Sequence, residues 1–247
     1  IDECSMVDEA LGKDLMSFGT PILVLGDPGQ LPPVSGGGYF TNAEPDYLLT
    51  EVHRQARDNP IIEMASRVRE GERLDYGAYG TSEVIRRGDI NAERVLKADQ
   101  VLVGTNKSRK AYNARLRQLK GFEGRLPAVG DKLVCLRNNA EKGLLNGSLW
   151  RVTSLGKARG LGLDMLVRGE DEGVLSPTVK VKVPVQAFES DDELPYLLKR
   201  RFDDFDFGYA LTVHKAQGSQ WDDVVLFDES WAFKDYRERW LYTGLTR

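Results

Sequence analysis

Apolar and polar positions alternate along this chain in two rhythms. As far as Lys120, and again from Phe207, apolar residues fall in short runs or at helical spacing, the mixture expected of an α/β fold. Ile1–Glu9 reads as a strand end with an acidic turn, and Ala10–Phe18 as a short helix with Leu11 and Leu15 one turn apart. Ile22-Leu23-Val24-Leu25 is unbroken and closed by Gly26-Asp27-Pro28-Gly29, which predicts a buried, parallel strand ending at a tight turn. Pro32 to Gly38 is loop. Asn59-Pro60 starts a helix as N-cap and first helical residue, with Ile61, Met64, Ala65 and Val68 on its apolar face and Gly71 at its end. Residues 72–99 are charged and glycine-spotted and predict no secure element. Gln100–Thr105 is a second buried strand, and Lys107–Lys120 an amphipathic helix with Tyr112, Leu116 and Leu119 on one side.

Between Val129 and Phe188 the period falls to two, in Lys132–Leu136, Leu149–Leu155, Asp164–Val167 and Val179–Val183. Asn146-Gly147 is a hairpin signal. Several short strands with glycine turns and no helix predict a small β-barrel inserted into the α/β domain. The acidic stretches Ser190–Glu193 and Asp203–Asp206 are expected to mark its exit, solvated and without chemistry of their own. Beyond it the strand Phe207–Val213, a helix from His214, the strand Val224–Phe227 and a last helix over Tyr236–Tyr242 resume the first rhythm.

The chain has 247 residues, enough for one large domain or two smaller ones, with 41% hydrophobic and 29% charged residues. That balance excludes a disordered chain, and no apolar run reaches the length of a bilayer span. A net charge of −4 argues against wholesale coating of nucleic acid and leaves room for a local basic groove. Cys4 and Cys135 lie in separate apolar surroundings and, with His53 and His214 as the only histidines, show no zinc spacing. Reduced thiols in a cytoplasmic protein are the expected state. The chain starts at Ile1, and no GxxxxGK[ST] phosphate loop occurs in it.

Gln30 stands just beyond the predicted strand end, where open α/β sheets bind ligands. Upstream lies Ile1-Asp2-Glu3-Cys4-Ser5-Met6, and downstream Leu49–Gln55 (LTEVHRQ), Tyr209–Ser219 (YALTVHKAQGS) and Tyr242–Arg247 (YTGLTR). In this order, together with GDPGQLPPV, they resemble motifs II to VI of the superfamily 1 helicases, and the RecD-like and Dda-like branch in particular. QLPPV after the glutamine and the barrel-like insertion, where GDKLVCLRNN and LLNGSLWRV resemble the SH3-like insertion of that branch, set the chain apart from the UvrD/Rep pattern.

Adjacent carboxylates at a strand end can hold Mg²⁺ through water and polarise an attacking water. The resemblance implies Mg²⁺ on Asp2 and the general base at Glu3. It makes Gln30 the γ-phosphate sensor, a neutral amide able to donate to phosphate and accept from water at once. Asp27 either supports the metal site or caps the turn. Arg54 and Arg247 are the candidate cations for the γ-phosphate, since guanidinium forks neutralise charge spread over equatorial oxygens. Thr212, His214, Lys215, Gln217, Gly218 and Ser219 open a helix whose N-terminus suits a DNA phosphate and equally a nucleotide phosphate. The resemblance gives this motif to DNA and to coupling with the nucleotide cleft, with Gly218 on the nucleotide side, and neither histidine is assigned to proton transfer. Thr105, Asn106 and Asn113 match a further backbone-gripping site, although a Thr-Asn pair at a helix start is also a plain N-cap. Lys180, Lys182 and Trp150 are candidates to line a DNA path, with the solvated face of an edge strand as the alternative for Lys180 and Lys182.

The fold class expected is α/β with RecA-like P-loop NTPase lobes. Residues 1–48 would be the end of the first, 49–124 and 202–247 the second, and 125–201 an inserted SH3-like β-barrel. The resemblance implies a 5′→3′ helicase that uses ATP and Mg²⁺ on single-stranded DNA, working with further subunits of a recombination or replication complex. Without the phosphate loop, the chain alone is expected to be inactive. A nucleic-acid-binding module without unwinding activity, and the helicase part of a nuclease or relaxase assembly, are the alternatives.

Overall fold

The computed structural model describes residues 1–33, 37–49, 59–170, 178–190 and 194–247. They pack as two compact units, Ile1–Thr105 with Thr212–Arg247, and Asn106–Leu211. The first unit opens on a short 3-10 turn, Cys4–Met6, preceded by Glu3 in the left-handed region at φ 51° and ψ 44°. Helix α1 (Glu9–Ser17) follows, capped by Asp8 accepting from Leu11 N.

The Leu23–Leu25 segment is extended and pairs with the chain start. Ile1 N donates to Leu23 O at 2.7 Å, and Leu25 N donates to Ile1 O at 2.8 Å, the slanted pattern of a parallel ladder. The predicted burial is not found, because Leu23 is 72% and Leu25 52% exposed. Pairing covers one side only, and among the described residues no strand joins the other.

Helix α2 (Pro60–Arg69) begins as the sequence predicts, with Asn59 accepting from Ile61 N and Met64, Ala65 and Val68 buried. A hairpin the sequence did not disclose, β1 (Gly77–Tyr79) with β2 (Ser82–Val84), pairs antiparallel. Helix α3 (Ala92–Lys97), capped by Asn91, leads into β3 (Gln100–Val103), buried at every position.

The second unit starts with α4 (Asn106–Leu119). Its strands are β4 (Lys132–Cys135), β5 (Leu149–Arg159), β6 (Gly162–Gly169), β7 (Thr178–Pro184) and β8 (Phe205–Phe207), with helices α5 (Gln186–Glu189) and α6 (Tyr196–Arg201) between the last two. They form one antiparallel sheet in the order β7-β6-β5-β4-β8. Leu133, Trp150, Met165, Val181, Val183 and Phe205 belong to its core. Val179, Val181 and Val183 alternate with exposed Lys180 and Lys182, the period-two pattern of a strand with one buried face.

The predicted barrel is corrected to an open sheet. Among the described residues no sheet closes, and β7 and β8 remain its edges. A side chain does part of what closure would do. Asp203 N donates to Lys182 O at 2.8 Å, and the Asp203 carboxylate accepts from Lys182 N, Lys142 Nζ and Asn139 Nδ2. Asp203 is therefore buried, not solvated as its acidic context suggested.

A second buried cluster ties α4 to the sheet. Arg117 Nε and Nη2 donate to the two oxygens of Asp131 at 2.9 and 2.8 Å, and Tyr209 OH donates to Asp131 Oδ1 at 2.9 Å. Burial, more than any neighbour, pushes the Tyr209 hydroxyl pKa well up. Gly208 lets the chain lie against β4, where a Cβ would come within 2.9 Å of the Leu133 backbone.

Strand β9 (Ala210–Thr212) leads back to the first unit, whose last elements are α7 (Val213–Ala216), β10 (Val224–Leu226), a 3-10 segment Ser230–Tyr236 and α8 (Arg237–Leu245). β10 pairs parallel with β3. Trp240 of α8 is fully buried and stacks on Phe233 at 5.4 Å.

Candidate functional site

Within the first unit the carboxyl end of the extended Leu23–Leu25 segment, the chain start and α8 converge. Asp2 is exposed, and its Oδ1 accepts from Glu3 N at 2.9 Å. Glu3 takes the left-handed conformation, which a side chain other than glycine adopts at a cost and which is characteristic of functional turns. The turn itself is built by Asp27, whose Oδ1 accepts from Gly29 N at 2.8 Å. Its Oδ2 accepts from Tyr242 OH at 2.5 Å. Of the two sequence readings of Asp27, this is the turn cap.

Gln30 lies on this turn with its side-chain oxygen buried and without a donor among the described residues. Arg247 ends the opposite side. Burial lowers its pKa from the ordinary value, and Glu3, then Tyr242 and Asp27, act by charge to raise it again. Among the described residues the guanidinium hydrogen-bonds to its own last turn, at Thr243 O and Thr246 Oγ1, and to no carboxylate. Arg54 falls outside the described residues. A cleft of about 470 Å³ adjoins this turn, lined by Pro28, Gly29, Arg69, Arg239 and Tyr242 among others.

Thr212 caps α7, its Oγ1 accepting from Lys215 N at 3.3 Å. His214 is half-buried, its ring 5.5 Å from that of Phe233, and burial lowers its pKa. Lys215 and Ser219 are half-buried, and Gly218 is exposed at φ 79° with nothing around it. Gln217 departs from the expected DNA contact. Its Nε2 donates to Leu31 O at 3.1 Å, and its oxygen is buried without a partner among the described residues. It is a tie to the Gln30 turn.

Thr105 also differs from expectation. The amides of Gly104 and Thr105 both donate to Glu229 Oε2, at 2.8 and 3.1 Å, so an internal carboxylate occupies the place an anionic ligand would take at this strand end. Gly104 has to be glycine, because a Cβ would lie 2.7 Å from the Glu229 side chain. In the second unit Asn106 is exposed and accepts from Arg109 Nε, while Arg109 pairs with Asp206 at 2.7 Å. Asn113 is corrected from a DNA contact to a core residue. It is 3% exposed, with its amide spent on the N–H and C=O of Ala210, both at 2.9 Å. Trp150 is likewise buried and donates to Ser148, while Lys180 and Lys182 are exposed on an edge strand.

Sequence reasoning missed Tyr242 and Thr243 as members of the site, although both stand inside the YTGLTR segment. It missed Glu229 altogether, for which no local pattern exists.

The first unit has a mixed α/β fold that brings several of these ordered segments together. An AAA domain model matches residues 1–90 and a UvrD-like helicase C-terminal domain model matches residues 207–247. Over its whole length the chain is 30% identical to the ATP-dependent RecD2 DNA helicase of Deinococcus radiodurans, of which it spans 34%. It is similar in fold to the Pif1 helicase of Candida albicans (TM-score 0.62, 19% identity, all of this chain and 68% of that one). The Bacteroides Pif1 helicase in complex with ADP-AlF3 and ssDNA gives a TM-score of 0.59 at 18% identity, covering all of this chain and 67% of that one. The chain is thus similar in sequence to a RecD-type helicase, of which it spans about a third, and similar in fold to Pif1 helicases.

Proposed function

We propose that this chain forms part of the motor of an ATP-dependent DNA helicase that moves 5′→3′ along single-stranded DNA in the cytoplasm. The observation that carries the reading is the buried Gln30 oxygen, without a donor among the described residues, on a turn whose Asp27 is bonded to Tyr242 of the helix that leads into Arg247. Support comes from the relative named an ATP-dependent helicase and from the Pif1 neighbour held with a nucleotide analogue and ssDNA.

In this reading Glu3 is the general base, and the Gln30 oxygen accepts from the attacking water. Arg54 and Arg247 neutralise the charge that builds on the transferred phosphoryl group. Asp2 and Glu3 suit Mg²⁺ only as an open site. Among the described residues no three ligand-type side chains converge, and Mg²⁺ held by one or two carboxylates is completed by water and phosphates. When bound, the ion supplies positive charge beside the reacting phosphate. The DNA side retains Asn106, Thr212, His214, Lys215 and Ser219, and Thr105 through its side chain only, since Glu229 takes its amide, with Gly218 toward the nucleotide. Residues 1–48 belong to the first lobe and 49–124 with 202–247 to the second, with 125–201 inserted, and nucleotide-dependent closure of the lobes advances the strand.

The test is ATP turnover by the intact protein with and without single-stranded DNA, beside Glu3→Gln. DNA-stimulated turnover that falls by about 10²-fold or more in the variant is the expected outcome. Turnover indifferent to DNA and to Glu3 would sink the motor reading and favour the binding module.

A further inference from the structure

The turn that carries Gln30 is held from both sides of the residue and not through the residue itself. Before it, Asp27 takes the Tyr242 hydroxyl on one carboxylate oxygen and the Gly29 amide on the other. After it, Leu31 N donates to Thr243 Oγ1 at 2.9 Å, and Leu31 O accepts from Gln217. The Gln30 oxygen has no donor of its own among the described residues. Its orientation is therefore inherited from the backbone between Asp27 and Leu31.

Two of these anchors, Tyr242 and Thr243, are consecutive residues of α8, the helix that leads into Arg247. Thr243 is tied in turn to Arg239 O at 2.7 Å. A movement of α8 thus reaches the turn directly. The tolerance is small, since a Cβ on Gly29 would already lie 3.1 Å from Asp27 Oδ1 and 3.4 Å from the Tyr242 ring. The Tyr242–Asp27 contact is short, joins a hydroxyl to a carboxylate and is half-buried, which places it among the stronger hydrogen bonds. Burial, with Asp27 next, pushes the Tyr242 hydroxyl up to about 12, so it stays a donor across the working pH range.

We propose that Tyr242 is a positioning residue that, through Asp27, sets the orientation of Gln30 and passes the position of the Arg247-bearing helix to it. The proposal rests on reading this site as one that hydrolyses ATP. Tyr242→Phe keeps the ring and its packing and removes only the donor.

The experiment measures kcat and KM for ATP in the intact protein, with an oligothymidylate as the DNA, for the wild type, Tyr242→Phe, Asp27→Asn and the double variant. Thermal unfolding is recorded on the same samples. Tyr242→Phe should lower kcat on the order of tenfold or more at unchanged KM, the scale of a lost hydrogen bond to a charged group, with the protein still fully folded at the assay temperature. The double variant should be no worse than Asp27→Asn alone. Wild-type kcat in Tyr242→Phe, losses that multiply in the double variant, or a kcat loss that only tracks the unfolded fraction at the assay temperature would overturn the positioning role. If Tyr242→Phe does not fold, Asp27→Asn, which leaves the ring in place, carries the same kcat-against-KM comparison. A wild-type protein silent with ATP would instead overturn the hydrolysis reading and the proposal with it.

Discussion

Each unit of the molecule has an arginine near carboxylates, Arg117 buried and Arg247 half-buried, and the two are treated in opposite ways. In the sheet unit Arg117 forks onto Asp131, gives its remaining donors to Gly124 O and Leu126 O, and lies 4.1 Å from the Phe207 ring centroid. Asp131 is fully buried, and both its oxygens are also engaged by Tyr209 and Ala128 N. In the first unit Arg247 feels Glu3 and Asp27 by charge and hydrogen-bonds to neither. Nearby, Glu3 sits in a costly backbone conformation and the Gln30 oxygen goes unpaired. A buried charge with every bond made is scaffold. The half-buried one keeps donors unused among the described residues, as expected if the proposed nucleotide site lies there.

The sharpest way to break this contrast is to truncate both arginines. Arg117→Ala strands a wholly buried carboxylate and should cost about 3–5 kcal/mol, read as a lower midpoint in urea unfolding of the chain. Arg247→Ala should leave that midpoint far less changed. Equal losses would mean that the two sites are alike.

Next in size is Asp203→Ala. It removes the acceptor for Lys182 N, Lys142 and Asn139 and should cost about 1–3 kcal/mol. Hydrogen exchange at Lys182 N would rise first if the latch holds the sheet edges as the geometry indicates.

The smallest effect belongs to His214. Burial lowers its folded pKa, so below the ordinary value of about 6.5 the unfolded chain takes up the proton first. Stability should therefore fall as pH drops through that value toward the folded pKa. His214→Asn should flatten this part of a stability-against-pH curve measured by denaturant titration, leaving the other groups' contributions unchanged.

Local rules read much of the fold. Asn59-Pro60 opens α2 through its own side chain and fixed φ, and Val179–Val183 announces β7 by its period. Lys107–Lys120 comes within a residue of α4 at each end. What the sequence hid is long-range. Glu229 meets Gly104 and Thr105 from more than a hundred positions away, and nothing near it in sequence distinguishes it from a surface acid. Asn113 was placed at a ligand site by resemblance, and the partner its buried amide takes, the Ala210 backbone 97 positions on, is invisible in local sequence. Leu23 and Leu25 read as buried because an apolar run carries no information about how many neighbours it will have. The motif residues were legible in order, while the ties among Asp27, Tyr242, Leu31 and Thr243 were not.

That same extended segment bears on how the isolated chain is handled at the bench. Its free side offers backbone donors and acceptors beside bare leucines, the profile of an edge that recruits strands from other molecules. Concentrated solutions of the 247-residue polypeptide are expected to show intermolecular β-pairing there, read as a concentration-dependent rise in apparent mass. A lysine in place of Leu23 is the conservative means of keeping them monomeric, since charge on an edge discourages a second strand without touching the ladder.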